Sequence, residues 1–125
     1  MGFGLSDLVF RHRPVASDVA AVRALVQSTG FFSEEEVGIA AELVELGVKQ
    51  GESSGYHFVF LEVEGQVLGY STFGPVPATT SSWDLYWIVV DESKRGKKLG
   101  RAVLAETEAR VLAAGGSRLY ADTAG

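Results

Sequence analysis

A mixed α/β domain, built on a central sheet of about five strands with three helices, follows from three features of the sequence. Apolar residues recur at helical spacing in three separate segments. Two alternating segments, Tyr56 to Val63 and Gln66 to Phe73, flank Glu64-Gly65 and read as a hairpin. Between positions 83 and 123 an apolar strand, a basic loop, a helix and a short strand follow one another, and that unit implies a right-handed parallel crossover. The expected order is β-α-α-β-β-β-α-β. Residues 1–125 fit a single domain with one core.

Leu8 to Arg13 alternates as a first strand, with Val9, Arg11 and Arg13 on one face and Leu8, Phe10 and His12 on the other. Pro14 ends it, because proline has no N–H for a ladder. Ser17 suits the N-cap of a first helix with the stripe Val19, Val22, Leu25 and Val26, and Gly30 stops it. Ser33-Glu34-Glu35-Glu36 is a capping box. The second helix carries Val37, Ala40, Ala41, Val44 and Val48 on one stripe and Ile39, Leu43 and Leu46 on another, so cover on more than one side is expected. Gly69, in the second strand of the hairpin, marks a bulge. Gly74 to Ser82, with two prolines, reads as a loop. Trp83 to Val90 is apolar on both faces, as a central, doubly covered strand would be, with Trp83 and Trp87 on one face. Leu99 to Ala114 is a third helix whose core stripe is Val103, Leu104, Thr107, Val111 and Ala114. Gly115-Gly116 ends it, and Arg118 to Thr123 is the last strand.

Composition removes several classes of function. The chain has no cysteine, which excludes disulfides, thiolate metal sites and cysteine nucleophiles. Its two histidines, His12 and His57, lack the spacing of a metal pair, so no metal is expected. A net charge of −5 argues against nucleic-acid binding, which draws on an extended basic face. No apolar run approaches the roughly 20 residues that span a bilayer, and no secretory signal pattern is visible. A cytoplasmic location is expected.

Against that acidity, five of the eleven Lys and Arg residues lie between positions 94 and 101, a window without an acid. They are Lys94, Arg95, Lys97, Lys98 and Arg101. They follow the apolar Ile88-Val89-Val90 and open the third helix. The first N–H groups of a helix are unpaired and its dipole is positive there, so the arrangement suits a small polyanion such as a phosphate ester.

Arg95-Gly96-Lys97-Lys98-Leu99-Gly100, preceded by Tyr86-Trp87-Ile88-Val89-Val90-Asp91, resembles the fingerprint of the GNAT superfamily, the acyltransferases that use acetyl-CoA. That fingerprint is Arg or Gln, two residues, Gly, one residue, then Gly or Ala, between the fourth strand and the third helix. Arg95 and Gly100 match it. Lys98 stands where the family has its middle Gly, and a lysine can offer its N–H there provided φ is not positive. The resemblance implies a GNAT-like fold for a single acyl-CoA-binding domain over residues 1–125. The family continues with a fourth helix and two more strands, so the chain reads as C-terminally shortened, and a homodimer through its C-terminal edge is expected.

The resemblance also implies the chemistry. Acetyl-CoA would be the co-substrate, with its pantetheine arm paired to the backbone of Ile88, Val89 and Val90. Its pyrophosphate would rest on Arg95, Gly96, Lys97, Lys98, Leu99, Gly100 and Arg101. The acceptor would be a primary amine of a small molecule or protein. Attack on a thioester needs a base, an oxyanion donor and a proton for the departing thiolate. Asp122 and Asp84 are the two candidate bases by resemblance. Each also has a plain reading as a surface charge, and Asp91 reads as a turn cap. Tyr56, Tyr70, Tyr86 and Tyr120 fall on expected strands, with Tyr86 and Tyr120 toward the cleft. Phe31-Phe32 either line the acceptor site or fix the entry to the second helix. A non-catalytic acyl-CoA-binding module is the alternative. A nucleotide-binding domain is weaker, because the loop lacks Gly-Lys-Ser/Thr and an acid placed for Mg²⁺.

Overall fold

The computed structural model describes residues 7–91, 93 and 98–121. The elements follow in the expected order: β1 (Val9–Arg11), α1 (Ser17–Ser28), α2 (Glu34–Gln50), β2 (His57–Val63), β3 (Gln66–Pro75), β4 (Ser82–Val90), α3 (Leu99–Ala113) and β5 (Arg118–Ala121). A short 3₁₀ turn, Gly51–Ser54, joins α2 to β2. The five strands form one sheet in sequence order. Neighbours are antiparallel except β4 and β5, which are parallel, as a helical crossover requires.

Alternation sorts the core into two layers. Phe58, Phe60, Tyr70 and Val89 pack with Val22, Leu25 and Val26 of α1 and Val37, Ala40 and Val44 of α2. On the opposite face Val59, Leu61, Leu68, Phe73, Trp83 and Leu85 pack with Leu99, Val103 and Val111 of α3. Thr107 is buried in this second layer without cost. Its hydroxyl donates to the Val103 carbonyl at 2.8 Å, which leaves Ser71 Oγ to donate to it at 2.6 Å.

The capping box forms as read: Ser33 Oγ accepts from the Glu36 N–H at 3.1 Å, and Glu36 accepts from the Ser33 N–H at 2.9 Å. Ser17 does not cap α1. Ala16 holds that position without a side-chain cap. Asp18, one residue on and 2% exposed, instead accepts from the Val15 N–H at 2.7 Å and from both Nη atoms of Arg11. Arg11 also donates to Glu62 and lies over the Phe60 ring. Two partner carboxylates hold its guanidinium above its ordinary range.

Three further expectations change. The second stripe of α2 stays open, with Ile39 and Leu46 exposed. In α3 the core stripe is Leu99, Val103, Thr107 and Val111, while Leu104 and Ala114 face outward. Trp83 and Trp87 lie on opposite faces, Trp83 with α3 and Trp87 against the α1–α2 layer. The cause is a bulge. Thr72 faces Trp87 but Phe73 faces Leu85, so Tyr86 is the extra residue of β4. A one-residue slip moves each following side chain to the other face. The bulge expected at Gly69 is present too: Leu61 faces Gly69, and Glu62 faces Val67.

No helix among the described residues is long and apolar enough to cross a membrane.

Candidate cofactor and acceptor site

β4 is paired along both edges for only part of its length. β3 pairs with Trp83 to Val90, whereas β5 pairs with Ser82 to Leu85. From Tyr86 to Val90 the outer edge of β4 has no ladder partner among the described residues. An extended edge of this kind presents alternating N–H and C=O groups to an incoming extended chain. The opening shows in the side chains, with Tyr86 44% and Ile88 38% exposed. Val89 is buried under α1 and α2, and Val90 packs on the α3 layer. Val89 and Val90 therefore pack with the core, while the outer backbone edge of the segment has no ladder partner among the described residues. Double cover, expected for all of β4, fails along this half.

The start of α3 lies next to that edge in the chain. Lys98 is the N-cap, and its carbonyl accepts the first helical bond from the Ala102 N–H at 3.1 Å. The N–H groups of Leu99, Gly100 and Arg101 precede that bond and have no intrahelical acceptor. Among the described residues no side chain caps this end, no acid lies in its first turn, and Lys98 and Arg101 are exposed. Buried Leu99 anchors the turn in the α3 layer. A Cβ added at Gly100 would meet nothing within 4 Å, so the space over this turn is open. Lys98 has φ +56° and ψ +35°. The condition set on it from the sequence, a φ that is not positive, is therefore not met. A left-handed lysine costs about 1–2 kcal/mol relative to a right-handed one. This is the strain a glycine would relieve, and it reorients the N–H that Lys98 offers.

The bulge builds the inner wall. Tyr86 reaches across Gly74 to Tyr56, ring centroids 5.7 Å apart. A Cβ on Gly74 would lie 2.5 Å from the Gly55 carbonyl oxygen and 3.3 Å from the Tyr86 ring. Asp84, half-buried, faces Gly74 on β3 and Tyr120 on β5. Desolvation, then the charge of Asp84, raises the pKa of the Tyr86 phenol, so it stays protonated at neutral pH. Tyr70 is wholly buried in the α1–α2 layer and Tyr120 is exposed on β5. Phe32 lies 5.1 Å from the Trp87 ring, centroid to centroid, and Phe31 lies 5.9 Å from Phe32. Tyr86 is expected toward the cleft from the sequence; its contact with Tyr56 and the Phe32–Trp87 contact are what period-two reading missed. The adjacent Tyr86-Trp87 pair opposite a glycine was the one available signal.

Asp91 caps the turn, its Oδ1 accepting from the Ser93 N–H and Oγ. Asp122, Arg95, Gly96 and Lys97 lie outside the described residues. The histidines stand elsewhere. His12 contacts Glu106 at 2.7 Å, and His57 lies against Phe73 and Trp83, where burial lowers its pKa. No cluster of three metal-ligating side chains occurs among the described residues. A cleft of about 670 Å³ lined by Tyr56, His57, Phe73, Trp83 and Arg110 lies by the N-terminal end of β4.

The model of the acetyltransferase (GNAT) family matches residues 21–125. A protein from Desulfovibrio desulfuricans assigned to that family shares 43% identity at a TM-score of 0.90, over 93% of this chain and 73% of its own. The ribosomal-protein-alanine N-acetyltransferase of Brucella melitensis gives a TM-score of 0.68 at 18% identity, covering 93% of this chain and 79% of that one. The PaiA N-acetyltransferase of Thermoplasma acidophilum, in complex with coenzyme A, gives 0.67 at 16%, covering 86% and 74%. The last two likenesses are of fold. No curated protein matches significantly.

Proposed function

Because the chain belongs to the acetyltransferase (GNAT) family, we propose that it moves an acetyl group directly from acetyl-CoA to a primary amine. One observation carries this reading: among the described residues the β4–β5 ladder ends at Leu85, and the unpartnered outer edge of Tyr86 to Val90 precedes a basic start of α3 in the chain. The coenzyme A held by the Thermoplasma protein of the same fold supports it. The donor set fits the group. The free edge of Tyr86 to Val90 suits an amide-bearing extended arm, and the first turn of α3 with Lys98 and Arg101 suits a pyrophosphate. Arg95, Gly96 and Lys97 belong to the same proposal.

Acetyl-CoA supplies an activated thioester, and the chain supplies the rest. An N–H on the free edge of β4 serves as the oxyanion donor. Asp84 or Asp122 takes the proton of the amine, directly or through water. Tyr86, protonated and at the opening, is the candidate donor to the departing thiolate.

A calorimetric CoA titration tests the reading. At one hundred times its Kd, CoA adds roughly 2.7 kcal/mol of stability, and thiol release from acetyl-CoA follows on adding amines. No heat and no melting shift at millimolar CoA would end the cofactor assignment. Binding without transfer would favour the non-catalytic module. Of Asp84→Asn and Asp122→Asn, one slows transfer with CoA affinity intact and removes the acidic limb of the pH profile. Wild-type rates in both would leave neither as the base.

A further inference from the structure

Phe31 is a large apolar side chain that the fold leaves 74% exposed, yet its backbone is pinned from both sides. Its N–H bonds Thr29 Oγ1 at 3.2 Å, Thr29 Oγ1 bonds the Val26 carbonyl at 2.8 Å, and the capping box begins at Ser33. Phe32 lies against it and against Trp87, which adjoins the free edge of β4. The result is a row of three rings running from solvent to the proposed cofactor edge. We propose that this row holds the carbon body of the acceptor, and that the acceptor is a primary monoamine bearing an aromatic ring. The inference rests on the acetyltransfer reading above.

The chemistry selects the body and not the amine head for the rings. An aromatic face stabilises an ammonium ion, and a stabilised ammonium is a poorer nucleophile because attack requires the neutral amine. Aromatic–aromatic contact, by contrast, rewards a ring without touching the amine. A polyamine would look instead to acids. Glu36 is taken by the capping box, and Glu34 and Glu35 lie in the first turn of α2, where the positive helix end already offsets their charge and weakens their pull on a cation.

The experiment compares 2-phenylethylamine, n-butylamine and spermidine as acceptors with acetyl-CoA. 2-Phenylethylamine should exceed the others in kcat/KM by about tenfold. Phe31→Ala should lower that value about fivefold, through KM, lower the n-butylamine value less, and leave CoA affinity and melting unchanged. 2-Phenylethylamine titrated into the CoA complex should give a binding heat that Phe31→Ala weakens, a readout independent of turnover. Preference for spermidine or n-butylamine, an unaffected variant, or no heat with the CoA complex would overturn the proposal while CoA binding stood. Loss of CoA binding itself would remove the acetyltransfer reading and the inference together.

Discussion

Gly100→Asp lowers CoA affinity about 30-fold while leaving the free protein at least as stable. The two effects have opposite signs for one reason. Gly100 sits in the first turn of α3, and a side chain there meets nothing within 4 Å, so the variant folds without a clash. A carboxylate near a helix start gains about 0.3–1 kcal/mol from the dipole, and replacing a helical glycine adds a few tenths more. The same carboxylate occupies and repels the place proposed for a pyrophosphate. Lys49→Asp is the control, because Lys49 is exposed on α2 and bonds only Glu45 at 3.2 Å. Calorimetry on both variants decides. Equal losses would mean that overall charge, and not the α3 start, governs affinity.

Asp18→Ala destabilises the fold by about 3 kcal/mol, the largest loss expected from a single polar substitution here. Asp18 is 2% exposed and accepts from two guanidinium nitrogens and a backbone N–H. Removing it strands the Val15 N–H and leaves Arg11 with Glu62 as its one remaining carboxylate partner among the described residues, beside the Arg13 carbonyl. The estimate sits at the low end of the range for buried pairs because the Arg11 side chain is 28% exposed. Urea unfolding measures it. Arg11→Met combined with Asp18→Leu should recover part of the loss, since removing both charges also removes their desolvation. A loss below about 1 kcal/mol for Asp18→Ala would show that solvent reaches the pair freely.

Features written in one segment were legible from the sequence. The Ser33 capping box, the Glu64-Gly65 turn and the layer to which Phe58, Phe60, Val59 and Leu61 belong follow from local spacing. So does the succession of β4, ending at Val90, and α3, beginning at Leu99. Features set by two segments were not legible. Ser17 is a good cap in isolation, but Arg11 and the Val15 N–H recruit Asp18. Alternation puts Trp83 and Trp87 together, but a bulge depends on the facing strand, where Gly74 makes room for Tyr86. The left-handed backbone of Lys98 runs against what a lysine ordinarily adopts, so residue type does not encode it. Of the candidate bases, Asp84 falls beside Tyr86, and Asp122 lies outside the described residues.

The slip at Tyr86 also gives the chain two optical reporters. Trp83 is packed with His57 and Phe73 on the α3 side, and Trp87 lies under Phe32 on the other. The two indoles share a strand but not an environment. Emission from Trp87 should follow what enters between the Phe31-Phe32 turn and β4, while Trp83 serves as an internal reference for the intact fold. Replacing either by phenylalanine would isolate the other, so ligand entry and unfolding could be watched as separate signals in one molecule.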